Sequence, residues 1–206
     1  EVIRELLDRG CNTLCTTPEN LHSALLNLST PPQLIITDSQ AFAPVLKIVE
    51  EYRKTHASVT PHSQATVPSS LPPLTSFSIL FARYKGDIDT FIEGAKKLQT
   101  LTSSSRILIA EACSHIPQNE DIGRVKLPRM LRKHIGEDLA IDIVGGNDFP
   151  TDLSQYDLVI HCGACMFNRR HVMSRIAQAK NQNVAITNYG IAILYLVQNA
   201  ESELFP

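Results

Sequence analysis

Apolar residues in this chain fall at helical spacing in some stretches and in short continuous runs in others, and the two kinds alternate. Val2, Ile3, Leu6 and Leu7 share a helical face, and Gly10 is a natural stop. Residues 13–16 read as a short strand. Leu21, Leu25 and Leu28 predict a helix over 20–28, which Pro31 and Pro32 end. Residues 33–37 predict a strand, after which Asp38 or Ser39 caps a helix running to about Arg53. From 55 to 74, Pro61, Pro68, Pro72 and Pro73 stand among Ser, Thr, His and Gln without a persistent pattern. This predicts a loop and a domain boundary near residue 76.

The second half repeats the alternation. Phe77–Tyr84 is apolar without a decisive period. Asp87 is a natural N-cap for a helix that turns Ile88, Phe91, Ile92, Ala95 and Leu98 inward. Strands are predicted at Arg106–Ala110, Leu139–Val144, Leu158–His161 and Val184–Thr187. Helices are predicted at Pro128–His134, at Arg169–Asn181 behind an Asn168 cap, and at Ile191–Asn199. The whole predicts an α/β protein of two domains, 1–76 and 77–206, each a mainly parallel sheet covered by helices.

Hydrophobic residues make up 43% of the 206, enough for a real core. A formal net charge of -2 supplies no basic field, so neither nucleic acid nor an anionic membrane is an expected partner. No apolar run is long enough to span a bilayer. The chain starts abruptly inside an amphipathic helix without a signal-peptide pattern, which reads as a fragment. The five cysteines form an odd set, which argues against a disulfide framework and for a reducing compartment, the cytoplasm.

Chemistry collects where the predicted strands end. In an open parallel sheet, ligands bind outside the carboxyl ends of the strands. Glu111, Cys113 and His115 follow the first strand of the second domain, and Gly145 and Gly146 follow the next. His161, Cys162 and Cys165 follow the third, and Asn188 and Tyr189 the fourth. Cys-x-x-Cys can place two sulfurs on one centre, and Cys113 would make a third. Three thiolates with a variable fourth position suit an iron–sulfur cluster with one open iron. Arg124, Lys126, Arg129, Arg169 and Arg170 lie near these segments and could offset its charge or hold an anionic guest.

Several stretches resemble one family. They are Glu-Ala-Cys-Ser-His (111–115), Asp-Ile-Gly-Arg-Val-Lys-Leu-Pro (121–128), His-Cys-Gly-Ala-Cys-Met-Phe-Asn-Arg-Arg (161–170) and Ile-Thr-Asn-Tyr-Gly (186–190). Ile-Thr-Asp-Ser-Gln-Ala-Phe (36–42) and Leu-Thr-Ser-Phe-Ser-Ile-Leu-Phe-Ala-Arg-Tyr-Lys-Gly (74–86) join them. Together they resemble the HydF maturation proteins of iron-only hydrogenase. The resemblance implies a GTPase, a dimerisation domain and a cluster domain, with a 4Fe-4S cluster on Cys113, Cys162 and Cys165. It implies a homodimer that serves as scaffold and carrier for the diiron subcluster precursor. That guest would come from the work of the radical-SAM maturases HydE and HydG and pass to the apo-hydrogenase. No Gly-x-x-x-x-Gly-Lys-Ser/Thr occurs, so GTP hydrolysis is out of reach of this sequence.

Other readings compete. Cys113, His161, Cys162 and Cys165 would equally make a closed Cys3His zinc site in an α/β interaction domain. Cys162 and Cys165 alone would suit a thiol–disulfide oxidoreductase. His161 either ligates or orients through a backbone hydrogen bond. His115 suits a pocket role, and Glu111 either ligates an open iron or lies at the surface. Arg169 and Arg170 open a helix, where cations are mildly unfavourable, and their default is a solvated face. Asn188 and Tyr189 either line the crevice or simply end a strand. Cys11 and Cys15 read as packing residues.

Overall fold

The computed structural model describes residues 2–38, 41–56, 72–112 and 121–202. It divides into two compact units, Glu1–Phe77 and Ser78–Pro206. The first unit contains α1 (Val2–Asp8), α2 (Pro18–Leu26), β1 (Ile35–Thr37), α3 (Phe42–His56) and β2 (Leu74–Ser76). β1 and β2 pair in parallel, Ile35 opposite Leu74 and Thr37 opposite Ser76. Leu21 and Leu25 from α2 and Val45, Val49 and Tyr52 from α3 bury Ile35.

α4 (Phe77–Lys85) leads into the second unit, followed by α5 (Ile88–Lys96), β3 (Arg106–Ala110), α6 (Leu127–Ile135) and β4 (Ala140–Val144). β5 (Leu158–His161), α7 (Arg169–Asn181), β6 (Ala185–Asn188) and α8 (Tyr189–Ser202) complete it. All four strands are parallel, in the order β4-β3-β5-β6. Strand alternation divides the core. Leu108, Ala110, Val159 and Ile186 pack with Val172, Ile176 and Ala179 of α7 and with Ala82 of α4. Ile107, Ile109, Leu158 and Ile160 pack with Leu127 and Leu131 of α6 and with Ala192, Ile193 and Leu196 of α8. Both faces are covered, so the central strands β3 and β5 read as continuous apolar runs over Ile107–Ala110 and Leu158–Ile160.

The α/β expectation holds in both units, while several local expectations need correction. Residues 13–16 form no strand; the stretch from 11 to 17 is irregular and exposed, and no strand among the described residues pairs with it. Cys11 and Cys15 are consequently exposed rather than packed. Leu28 lies beyond the end of α2 and is 37% exposed. Ile92 is 46% exposed, because α5 turns the narrow stripe Phe91, Gly94, Ala95 inward. Phe77–Lys85, of no decisive period in sequence, is a helix. The expected loop over 55–74 lies outside the described residues between 57 and 71.

Candidate metal centre

The strand order reverses between β3 and β5. From β3 the chain moves outward to β4, then returns to the other side of β3 to form β5. Such a switch point leaves a crevice at the carboxyl ends, because the two connections run off in opposite directions. Glu111 N donates to Val144 O at 2.8 Å, and Cys162 N donates to Ala110 O at 2.9 Å. Both ladders therefore run one residue past the strands and bring the β3 and β5 exits side by side.

The Cys162 sulfur, at the exit of β5, is a hydrogen-bond acceptor. It receives Ala112 N at 3.0 Å and Ala164 N at 3.4 Å. The second contact depends on Ala164, which is buried in the left-handed region at φ 50°. A non-glycine residue there carries backbone strain on the order of 1 kcal/mol. Phe167 N donates to Ala164 O at 3.1 Å and closes the turn, leaving Cys165 exposed at its tip. α7 starts directly afterwards, with Asn168 Oδ1 accepting His171 N at 3.0 Å. The helix N-terminus adds partial positive charge beside the cysteine pair.

Cations hold the turn from behind. Lys85 is buried, and its Nζ donates to Cys165 O at 2.8 Å and Ala164 O at 3.4 Å. Arg169 Nη1 donates to Tyr84 O at 3.1 Å and Gly86 O at 2.7 Å, tying α7 to the turn after α4. His161 is 1% exposed. Its Nε2 lies 3.0 Å from Arg175 Nη1, and its Nδ1 lies 2.7 Å from Cys162 O. A guanidinium only donates, so Nε2 must accept and Nδ1 must carry the proton to the carbonyl. His161 is therefore a neutral imidazole with both nitrogens engaged. Nearby, His171 stacks on Phe167 with ring centroids 4.3 Å apart. Burial, then the charge of Arg175, lowers the His171 pKa.

On the β4 side, Glu111, Arg124 and residues 143–148 line a cavity of about 540 Å³. Arg124 Nη2 pairs with Glu111 Oε2 at 3.0 Å. A one-turn π-helix at Ile122–Lys126 carries Arg124, with Asp121 Oδ1 accepting Arg124 N at 2.8 Å as its cap. Gly123 fits closely there: a Cβ would run into Tyr189 Oη and sit 2.7 Å from Glu111 Oε1, so those side chains would have to shift.

A family model described as the hydrogen maturase F dimerization domain matches residues 1–86. Another, the hydrogen maturase F tetramerization domain, matches residues 89–202. The chain belongs to the hydrogen maturase F family. No curated protein matches it in sequence. The two family matches leave only 87–88 and 203–206 uncovered, so this sequence contains no GTPase domain. Both are self-association domains of a hydrogenase maturation protein. Of the expected homodimer, the two descriptions support self-association. The dimerization match runs to residue 86, whereas the first compact unit ends at Phe77, so α4 packs with the second unit.

The fold brings Glu111, Arg124, His161 and Cys162 to one edge of the sheet, with Cys165 three residues on. Cys113 and His115 lie outside the described residues, which break off at Ala112. Among the described residues, no group of three His, Cys, Asp or Glu side chains is placed to hold a metal. Asn188 serves the fold: its Oδ1 accepts Ile191 N at 3.0 Å and its Nδ2 donates to Ser78 O at 2.9 Å. Tyr189 is buried with its hydroxyl toward Gly123. Lys126 is half-buried, and Arg129 and Arg170 are exposed. Two residues went unread in the sequence, Lys85 and Arg175. Lys85 belongs to the 74–86 stretch that carried the resemblance, which was a usable signal. Arg175 had a signal too, as a charged residue at the Val172–Ile176–Ala179 helical face. No helix among the described residues is long and apolar enough to cross a membrane.

Proposed function

We propose that this hydrogen maturase F chain is a carrier in which Cys162, Cys165 and Cys113 hold a 4Fe-4S cluster at the switch point of the second unit. The observation behind the reading is the Cys162 sulfur, which accepts two backbone N–H groups at the exit of β5. Such hydrogen bonds favour the thiolate over the thiol, and the thiolate is the form that ligates iron. One of those donors, Ala112, immediately precedes Cys113. The donor set is soft sulfur at the end of a rigid sheet, which suits a cluster. Bound there, a cluster would supply an open iron to which a guest can attach.

The protein's own groups have separate tasks in this reading. Lys85 fixes the Cys165 peptide through its carbonyl. The α7 N-terminus and Arg169 place positive charge beside the negatively charged centre. The cavity lined by Glu111 and Arg124 adjoins it and is the proposed seat of the diiron subcluster precursor. The guest would arrive from the radical-SAM maturases HydE and HydG and leave to apo iron-only hydrogenase. His161 would orient rather than ligate, because both of its nitrogens already have partners. The same observation weighs against the closed Cys3His zinc site.

Anaerobic reconstitution with ferrous iron and sulfide tests the proposal. Wild type should take up about four irons and develop visible charge-transfer absorption. C113S, C162S and C165S should each lose most of it. Full cluster content in all three variants, or stoichiometric zinc without iron in the purified protein, would refute the carrier reading.

A further inference from the structure

Arg175 is the most unusual charge in the second unit. It lies on α7, is 5% exposed, and has burial as the chief influence lowering its pKa. Among the described residues its hydrogen-bond and stacking partners are neutral, and the negative charge of the Cys162 sulfur works against its burial. Nη1 donates to His161 Nε2 at 3.0 Å, Nη2 donates to Gly146 O, and the group stacks on the Phe149 ring at 4.6 Å. None of the described ion pairs includes it. An isolated buried cation is costly, and an anion close by is the usual compensation. Arginine does not escape by losing its proton.

The hydrogen bonds lead from this cation to the cysteine site. Arg175 sets the His161 tautomer, and His161 Nδ1–H then grips the Cys162 carbonyl at 2.7 Å. The same guanidinium holds Gly146 in the cavity wall after β4. One side chain thus ties the β4 and β5 exits together and directs positive charge at the Cys162 peptide. We infer that Arg175 is a positioning residue that raises the reduction potential of the group held by Cys162 and orients that cysteine through His161. The inference rests on the cluster reading above. A nearby buried positive charge favours the more negative, reduced form, and hydrogen bonding and local charge are established controls of cluster potential.

The test compares wild type, R175M and R175K as full chains reconstituted anaerobically with iron and sulfide. Dithionite supplies the one electron, and electron paramagnetic resonance follows the reduced cluster. R175M replaces the charge with an apolar stem of similar length. At the potential where wild type is half reduced, its reduced-to-oxidised ratio should fall about tenfold, or ~59 mV for one electron. R175K should recover most of that shift. Equal midpoints for wild type and R175M overturn the inference and leave the cluster reading intact. Wild type that binds no iron overturns the cluster reading itself, and the potential effect with it. A second readout uses the metal-free proteins. Nitrogen-15 resonances of His161 should show the proton on Nδ1 in wild type and mixed tautomers in R175M. An unchanged Nδ1–H tautomer in R175M also overturns the positioning role. If R175M fails to fold by circular dichroism, R175Q is read by the same two criteria.

Discussion

Asp87 shows how much a single side chain does before α5 begins. Its carboxylate accepts Thr90 N at 3.2 Å and Thr90 Oγ1 at 2.6 Å, and Lys180 Nζ reaches it at 3.1 Å from α7. Thr90, then Lys180, holds the carboxyl down at about 2. A folded-state value below the unfolded one stabilises the fold above the unfolded pKa, near 4, and that stability is lost as pH falls through about 2. Between pH 4 and pH 2, wild type should therefore lose about 1–2 kcal/mol more than D87N, after allowance for the solvent-screened Lys180 partner. Urea midpoints across that range measure it, and parallel curves would count against the coupling. Asp87 and Asn168 were both legible as caps, because a cap acts on a backbone N–H three residues away. The Arg175–His161 contact spans fourteen residues across two elements, and local spacing says nothing of such a meeting.

Among the elements, α5 and β6 are a pair that sequence could not have matched. They lie about ninety residues apart, yet Gly94 rests directly on the Ile186 peptide, and a Cβ there would collide with the Ile186 carbonyl oxygen. The obstacle is strand backbone, which has no rotamer to escape into. G94A should push α5 off the sheet and cost about 1–3 kcal/mol, read as a lowered urea midpoint. An unchanged midpoint would mean the helix can shift freely. Element types came through well from pattern alone: β3, β5 and α7 run as their residues predicted. Misreadings occurred where packing decided. Residues 13–16 had strand composition and no partner strand among the described residues, while Phe77–Lys85 had apolar residues on several sides of a short helix. The turn at Ile122–Lys126 was missed although Asp121 signalled it.

At the level of the molecule, the first unit's core shares no residue with the two core clusters of the second. Leu21, Leu25, Val45, Val49 and Tyr52 belong to the first unit's core, and the core residues from Ala82 onward to the second unit's. A fragment of residues 78–206 should therefore keep native-like circular dichroism and a cooperative transition. L25A in the full chain should destabilise the first unit by about 2–5 kcal/mol while leaving the second unit's transition in place. Loss of both transitions together would show that the units fold as one.

Residue order by itself determined that this chain alternates strands and helices, that Cys113, Cys162 and Cys165 follow strands, and that its motifs resemble one maturation family. Those properties are written in neighbours three or four positions apart, the range over which periodicity and capping act. Tertiary structure alone decided that β5 lies beside β3, which puts the Ala112 amide against the Cys162 sulfur and Arg175 behind His161. Strand order depends on which faces bury together, a choice made over fifty residues of chain, and no local pattern encodes it.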